Sequence, residues 1–207
     1  MITRSVSVIQ TGTANLASVL AGLRRLGAQP RLDNDPDTIA RAERVVLPGV
    51  GALAPAIRRL EGDGLREALG IRFAENRPTL AICLGLQLLC RGSQESPDTP
   101  GLGFLDLVAS RFPDTVPVPQ MGWNHLEPDQ RCRYLRPGYA YFANSYRLTE
   151  APADWRVAWA WHGTPFVAAL EHGALLACQF HPELSGAWGQ DLLRRWLEDE
   201  TAGGVSC

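Results

Sequence analysis

The feature of this sequence that most constrains its fold is the alternation, through the first half, of short apolar runs with longer amphipathic segments. Residues 6–10, 45–47 and 79–82 are short runs rich in β-branched and other apolar residues, as expected of strands in a covered parallel sheet. The amphipathic segments between them have helical periodicity and fall at residues 15–26, 57–60 and 65–73. Strand, helix, strand, helix predicts a parallel sheet that is covered by helices on both faces.

The second half of the chain has a different pattern. Strand-like runs separated by Pro and Gly fall at residues 105–108, 139–146, 157–161, 166–170 and 175–180, and an amphipathic helix is predicted over 187–197. We therefore expect a three-layer α/β domain over residues 1–198, with a mainly parallel central sheet and additional antiparallel strands from the second half. Residues 199–207 have the composition of a frayed C-terminal tail.

Composition excludes several classes of function. The 20 basic residues are all Arg, so Schiff-base enzymes, Walker A nucleotide binders and kinases with a β3 lysine are ruled out. The formal net charge of -2 gives no basic footprint, so we expect neither a nucleic-acid nor a membrane partner. No apolar stretch approaches the ~20 residues of a membrane span. Five cysteines without a CxxC pair favour a reducing compartment, and we expect a cytoplasmic protein.

The strongest local signal for chemistry surrounds Cys83. The apolar run 79–82 leads into Cys83, and after Gly85 a helical pattern begins, which is the arrangement of a nucleophile elbow. A thiol in such a turn lies at a helix N-terminus, whose partial positive charge favours the thiolate. The alternative interpretation is that Cys83 is a small apolar residue of the core.

A cysteine nucleophile needs a base, and the chain has four histidines. His181 directly follows the last apolar run, Pro182 cannot continue a strand, and Glu183 is placed to orient the imidazole. The other three histidines have the sequence contexts of turn, structural or surface residues. Cys83, His181 and Glu183 therefore form a candidate set of nucleophile, base and orienting carboxylate.

Acyl transfer also needs donors for an oxyanion. The backbone N–H of Leu84, the residue after the candidate nucleophile, is one such donor. A second donor is expected in residues 48–51, Pro-Gly-Val-Gly, because glycines let the main chain approach a ligand closely. This loop taken alone is equally compatible with an ordinary turn.

Three motifs together resemble the class I glutamine amidotransferases: Leu-Pro-Gly-Val-Gly at 47–51, Ala-Ile-Cys-Leu-Gly-Leu-Gln at 81–87, and Gln-Phe-His-Pro-Glu at 179–183. Further segments resemble one branch of that family, the glutaminase subunits that serve histidine biosynthesis. These segments are residues 121–124, residues 141–146 and the Ser-Gly pair at 185–186. The resemblance covers essentially the whole chain and implies a flavodoxin-like three-layer fold.

The resemblance also implies a reaction. Cys83 would attack the side-chain amide of glutamine, giving a thioester and ammonia, while His181 moves protons and Glu183 holds His181. No metal and no organic cofactor are implied. The implied oxyanion donors are the backbone N–H groups of Leu84, Val50 and Gly51. The residues that match glutamine-binding positions are Gly49, Gln87 and Glu95.

The same resemblance implies a partner. Ammonia would pass to a (β/α)8-barrel cyclase subunit, which forms imidazole glycerol phosphate and an aminoimidazole carboxamide ribotide. Residues implied at the heterodimer interface or ammonia passage are Asn15, Met121, Trp123, Asn124, Tyr141 and Leu184. Leu184 replaces a lysine that is usual in the family. Gln120 and Asn144 replace histidines, and we hypothesise that their side chains face each other.

Several alternatives remain at this stage. Another class I amidotransferase, such as one that serves anthranilate, GMP or carbamoyl phosphate synthesis, would lack the segments at 121–124 and 141–146. A paralogue that feeds a different acceptor, such as a sugar, would share every motif. A non-catalytic regulatory subunit has no reason to retain Cys83, His181 and Glu183 together. A free-standing hydrolase would turn over without a partner.

Overall fold

A nine-stranded sheet forms the centre of the computed structural model, which describes residues 4–12 and 15–200. In chain order the strands are β1 (Ser5–Val8), β2 (Gln29–Leu32), β3 (Arg44–Gly49), β4 (Thr79–Cys83), β5 (Cys90–Ser93), β6 (Leu105–Arg111), β7 (Gln120–Pro128), β8 (Gly138–Asn144), β9 (Tyr146–Arg147), β10 (Arg156–His162), β11 (Thr164–His172) and β12 (Leu175–Cys178). The large sheet has the order β2-β1-β3-β4-β12-β11-β10-β7-β8, and β5-β6-β9 form a small separate sheet.

The helices lie mainly in the first half of the chain. They are α1 (Leu16–Arg25), α2 (Pro36–Arg41), α3 (Leu53–Gly62), α4 (Leu65–Ala74), α5 (Leu84–Leu89) and α6 (Gly186–Glu198), with a 3-10 turn at Pro182–Leu184. The strands β2, β1, β3, β4 and β12 pair in parallel. The predicted parallel sheet and its helical connections are therefore confirmed.

The parallel strands separate two apolar cores, one on each face of the sheet. On β3, Val46 packs into the core that contains α1 and α6, whereas its neighbours Val45 and Leu47 pack into the core that contains α3, α4 and α5. Successive side chains of a strand point to opposite faces, so a strand buried on both faces is mostly apolar. Each such side chain contributes about 1.5–3 kcal/mol when it is fully buried.

The second half extends the same sheet with antiparallel strands, as predicted. Strand β11 pairs antiparallel with β12 and with β10, and β7 pairs antiparallel with β10 and with β8. Three details differ from the sequence prediction. Residues 120–128 form a strand that the sequence pattern did not indicate, the run 139–146 is divided between β8 and β9, and the strand at 105–111 belongs to the small sheet. Strand β7 escapes detection because its exposed face carries Met121 and Trp123 where polar residues are expected.

The packed body continues past residue 198. The Asp199 carboxylate accepts hydrogen bonds from the Tyr134 hydroxyl and from Arg133, and its carbonyl oxygen accepts one from Arg44 at 2.6 Å. Asp199 is buried by these contacts, so the domain boundary predicted after residue 198 lies too early. The remainder of the predicted tail, residues 201–207 with Cys207, lies outside the described residues.

Within residues 4–12 and 15–200, no helix is long and apolar enough to cross a membrane.

Candidate active site

The candidate site lies at the edge of the sheet where β3, β4 and β12 end. Strand β4 lies between the other two, with Gly49 of β3 opposite Cys83 and Cys178 of β12 opposite Ile82. The segment that follows β12 therefore emerges beside Cys83 and carries His181 to it. Ligands of open α/β sheets bind in the crevice outside the carboxyl ends of the strands, which is where these residues meet.

The turn at Cys83 has the geometry expected of a nucleophile elbow. Cys83 is the last residue of β4, has φ 56° and ψ -110°, and is followed at once by α5. A positive φ is costly for a residue with a Cβ, by about 1–3 kcal/mol, and persists only where the surroundings enforce it. The enforcing contact is close: a Cβ at Gly85 would lie 2.1 Å from the carbonyl oxygen of Leu47. The glycine thus lets α5 start directly against β3.

His181 and Glu183 form a buried pair beside Cys83. His181 Nδ1 lies 2.9 Å from Glu183 Oε1, and both side chains are more than nine-tenths buried. This contact engages Nδ1, and the His181 side chain also interacts with that of Cys83. The imidazole therefore lies between the thiol and the carboxylate, in the arrangement of a nucleophile, a base and an orienting acid.

Backbone contacts fix the position of His181. Its N–H donates to the carbonyl oxygen of Tyr141 in β8 at 2.9 Å, and its own carbonyl accepts from Ser185 Oγ at 2.6 Å. Ser185 Oγ in turn accepts from the Tyr141 N–H at 3.0 Å. Strand β8 and Ser185 thereby hold the segment that carries the imidazole, although no residue of β8 is close to His181 in sequence.

The pKa of His181 is governed by two opposing effects. Burial lowers the pKa, but hydrogen bonds to the side chains of Cys83 and Glu183, and the negative charges of those groups, raise it from 6.5 to about 10. The net effect favours an imidazolium at neutral pH. A protonated His181 places a positive charge beside the Cys83 sulfur, where it can act as the counter-ion of a thiolate.

A cavity of about 230 Å³ opens over Cys83 and His181. Its walls are formed by residues 50–51 after β3, by the start of α5, by Glu95, and by the residues that end β8 and begin β9. The lining residues are Val50, Gly51, Cys83, Leu84, Gln87, Glu95, Ala143, Asn144, Ser145, Tyr146 and His181. Drug-sized ligands occupy pockets of about 300–1,000 Å³, so this cavity suits a smaller molecule such as an amino acid.

The residues predicted to bind an oxyanion or glutamine lie on this cavity, with one exception. Val50, Gly51, Leu84, Gln87 and Glu95 line it, and the Glu95 carboxylate also accepts the N–H of Leu53, the first residue of α3, at 2.8 Å. Gly49 lies behind the wall, where a Cβ would approach the Leu84 Cβ to 2.8 Å. Its place in the fold is thus explained by the close packing of β3 against α5.

Three of the six residues predicted at a partner interface, Met121, Trp123 and Tyr141, lie on one face of β7 and β8. Met121 and Trp123 are 68% and 56% exposed, and Trp123 packs edge-on against Tyr141 with ring centroids 6.2 Å apart. A Cβ at Gly186 would lie 3.6 Å from the Trp123 ring, which brings the exposed Leu184 into the same region. We call Met121, Trp123, Tyr141 and Leu184 the β7–β8 patch.

Two other predicted interface residues have local structural contacts. Asn124 donates from Nδ2 to the carbonyl oxygen of Trp161 at 2.8 Å and so links β7 to β10. The Asn15 side chain accepts from the N–H of Ser18 at 3.5 Å and caps the start of α1.

Gln120 and Asn144 are directly opposite each other on β7 and β8, and both are buried. The Asn144 amide donates to the Tyr146 carbonyl at 3.0 Å rather than to Gln120. Among the described residues neither Gln120 Oε1 nor Asn144 Oδ1 receives a hydrogen bond. The two residues are therefore neighbours, as hypothesised, but a hydrogen-bonded amide pair does not form.

Two residues that the sequence motifs include, but to which the sequence analysis assigns no role, contact the candidate nucleophile or its base. Gln179 donates from Nε2 to Cys83 Sγ at 3.7 Å, and Ser185 holds the His181 backbone. A signal for Gln179 exists, because an amide side chain at the end of an apolar strand must find a partner when it is buried.

For residues 4–12 and 15–200, no cluster of three or more His, Cys, Asp or Glu side chains is arranged to hold a metal ion.

Comparison with known proteins identifies relatives over nearly the full length. The family model for class I glutamine amidotransferases matches residues 8–199. The chain is 38% identical over 199 residues to the imidazole glycerol phosphate synthase subunit HisH of Escherichia coli (strain K12), which covers 94% of this chain and 99% of that protein. It is 40% identical over 196 residues to the protein of the same name from Methanothermobacter thermautotrophicus, with 93% and 98% covered.

Solved structures have the same fold. One described as a glutamine amidotransferase superposes with a TM-score of 0.75 at 21% identity and covers 93% of this chain and 97% of that one. A protein from Thermoplasma acidophilum, described as part of a putative GMP synthase, gives a TM-score of 0.71 at 19% identity, with 95% and 94% covered. At these identities the likeness concerns the fold alone.

Replacing Gly85 with Ala tests the close packing behind the elbow. We expect Gly85→Ala to lower the free energy of unfolding by about 2–3 kcal/mol, because the new Cβ collides with the Leu47 carbonyl and β3 or the turn must shift. Urea unfolding measures the change. Gly92→Ala is the matched control, since a Cβ there has open space around it. Equal losses in the two variants would contradict the packing explanation.

The raised pKa of His181 predicts its protonation state. In ¹⁵N-histidine NMR spectra, we expect His181 to remain an imidazolium at pH 7 and to titrate near pH 10. Glu183→Gln removes a negative charge, so the midpoint should fall toward 6.5, whereas replacement of the exposed Glu127 by Gln should leave it in place.

This protonation also has a consequence for stability. A pKa raised in the folded state stabilises the fold fully below about pH 6.5, and this contribution is lost as the pH rises toward 10. The free energy of unfolding should therefore fall over this range by more in the wild type than in Glu183→Gln. A neutral His181 at pH 7 would contradict the raised pKa.

Proposed function

The chain belongs to the class I glutamine amidotransferases, and on that basis we propose that it is the glutaminase subunit of an imidazole glycerol phosphate synthase. The observation that carries the chemistry is the placement of Cys83 at a strained elbow, beside the buried His181–Glu183 pair and on a cavity of amino-acid size. Identity of 38–40% over nearly the whole length to proteins named as HisH supports the assignment within the family.

In the proposed first half-reaction, Cys83 Sγ attacks the side-chain carbonyl carbon of glutamine. A C–S bond forms, and the carbonyl oxygen becomes an oxyanion that accepts the backbone N–H of Leu84 and an N–H from Val50 or Gly51. The imidazolium of His181 then gives its proton to the amide nitrogen, the C–N bond breaks, and ammonia leaves. The product on the enzyme is a glutamyl thioester.

The second half-reaction returns the enzyme to its starting state. His181, now neutral, takes a proton from water as the water oxygen attacks the thioester carbon. The C–S bond breaks, its electron pair returns to sulfur, and glutamate departs. Glu183 keeps its contact with Nδ1 through both steps, so the imidazole presents the same nitrogen to the sulfur and to the reacting groups.

Gln87 and Glu95 are the proposed contacts for the amino-acid end of glutamine, since both line the cavity. The Gln87 amide hydrogens are engaged by the Tyr146 carbonyl and by Gln179, which leaves its Oε1 as an acceptor for an ammonium group. The Leu53 N–H donates to Glu95 Oε2, so Glu95 Oε1 remains available to accept a hydrogen bond from the same ammonium group.

The proposed partner is a (β/α)8-barrel cyclase subunit that receives the ammonia and forms imidazole glycerol phosphate, and the proposed docking surface is the β7–β8 patch. Large apolar side chains that are mostly exposed and clustered mark protein interfaces. The patch adjoins the site, because Tyr141 contacts both Trp123 and the His181 backbone.

The free state of Cys83, Cys90, Cys132 and Cys178 supports a reducing compartment, and we propose a cytoplasmic location.

The rival within the family is a paralogue that delivers ammonia to another acceptor, such as a sugar. It would share the site but not the partner. The partner-dependent activity described next separates the two.

Glutamine hydrolysis should depend on the partner and on Cys83. We expect low turnover by the isolated chain and a rise of roughly two or more decades with the cyclase subunit of the same genome and its phosphoribulosyl ligand. Cys83→Ala should be inactive in both states. Glutamate release measured by a coupled assay checks this result. Full activity of the isolated chain would indicate a free hydrolase, and the absence of activation by the cyclase would favour another acceptor.

A charge in the β7–β8 patch should block assembly. We expect Met121→Asp to weaken binding of the cyclase by about tenfold or more, because a carboxylate would be desolvated in an apolar interface. Titration calorimetry measures the change in Kd. Leu32→Asp is the matched control, since Leu32 is exposed on β2 at the opposite edge of the sheet and should leave Kd unchanged. Equal effects of the two substitutions would place the interface elsewhere.

A further inference from the structure

The side chain of Gln179 lies between Cys83 and Gln87 and has no part in the mechanism derived above. Gln179 directly follows β12 and is 0% exposed. Its Nε2 lies 3.7 Å from Cys83 Sγ, and its Oε1 accepts a hydrogen bond from Gln87 Nε2 at 3.0 Å. The amide thus contacts both the nucleophile and a residue of the cavity wall.

The orientation of this amide follows from the main chain. Gln87 Nε2 lies 3.4 Å from the carbonyl oxygen of Tyr146. This oxygen belongs to the main chain and can only accept a hydrogen bond. A carbonyl can face only the NH₂ end of Gln87, and that NH₂ group supplies its other hydrogen to Gln179. Gln179 must accept this hydrogen with Oε1, so its own NH₂ group faces the sulfur.

An N–H group that faces Sγ discriminates between the forms of Cys83. A thiolate accepts such a hydrogen bond strongly, because the acceptor is charged, whereas a neutral thiol is a weak acceptor. The titratable groups around the sulfur are His181, with Glu183 behind it, and Glu95 across the cavity. The Gln179 amide is uncharged, so it stabilises the thiolate without altering the charge balance of this set.

We propose that Gln179 is a further catalytic residue, whose amide N–H stabilises the Cys83 thiolate and links it to the cavity-lining Gln87. This inference rests on the proposed glutaminase function. The hydrogen bond acts at two moments: it holds the thiolate before the C–S bond forms, and it stabilises the electron pair that returns to sulfur when water displaces the thiol from the thioester. Gln87, which faces the bound amino acid, fixes the orientation of the donor.

Alkylation of Cys83 by iodoacetamide tests the hydrogen bond directly. The rate is measured against pH, and peptide mass mapping separates Cys83 from the other cysteines. Gln179→Met keeps the length of the side chain and removes the donor, so the midpoint of the pH profile should rise by about one unit. In the complex, kcat for glutamine should fall about tenfold with KM little changed.

Gln120→Met is the matched control for this experiment. Gln120 is the other glutamine in the described chain that is buried without lying on the cavity, and it makes no hydrogen bond to the thiol. Its replacement should leave the alkylation midpoint in place. A midpoint in Gln179→Met that equals the wild-type value, with melting temperature retained, would overturn the proposal.

A second variant keeps the test informative if Gln179→Met is unstable. Gln87→Met removes the group that orients Gln179 and should shift the midpoint in the same direction by a smaller amount. The shift in the double variant should not exceed that of Gln179→Met, because both changes interrupt one chain of hydrogen bonds. An unchanged midpoint in Gln87→Met, or additive shifts, would overturn the link. Alkylation needs neither glutamine nor a partner, so its outcome is independent of the proposed function.

Discussion

The close approach of β3 to the β4–α5 turn is the contact on which the rest of the structure depends. Gly85 places the start of α5 against the Leu47 carbonyl, and Gly49 lets β3 pass the side chain of Leu84. These two contacts hold Cys83 at a backbone conformation that a residue with a Cβ avoids. The buried Cys83 therefore borders both the core and the cavity at the sheet edge, and residues 50–51 line the same cavity.

A strained nucleophile is useful only if the groups around it are equally fixed. His181 is held at three points, by Glu183 on the ring and by Tyr141 and Ser185 on the backbone. Because these groups are buried, each polar contact is made in a medium of low dielectric, where an unmade hydrogen bond would be costly. Gln179 extends the same principle to the sulfur, since its amide is oriented by a chain of contacts that ends at a main-chain carbonyl.

The antiparallel strands of the second half have two uses. Strand β8 supplies the carbonyl that holds His181, and the residues that end it form a wall of the cavity. Its Tyr141 side chain packs beside Trp123 of β7 in the apolar β7–β8 patch. A partner bound to this patch would therefore lie one strand away from the base, and Tyr141 contacts both sides. The exposed Leu184 side chain adds a further apolar residue to this surface.

Sequence patterns predicted the parallel α/β body and, together with the family resemblance, the elbow at Cys83 and the His181–Glu183 pair, because local periodicity and short motifs encode features that neighbouring residues build. Other features depend on contacts between distant segments: the pairing of strand β7, the break at Ser145 between strands β8 and β9, and the burial of Asp199. The same holds for the hydrogen bonds among Gln179, Gln87 and Tyr146, which join residues from three separate parts of the chain. No local pattern specifies such contacts, since they arise only when the sheet has brought those strand ends together.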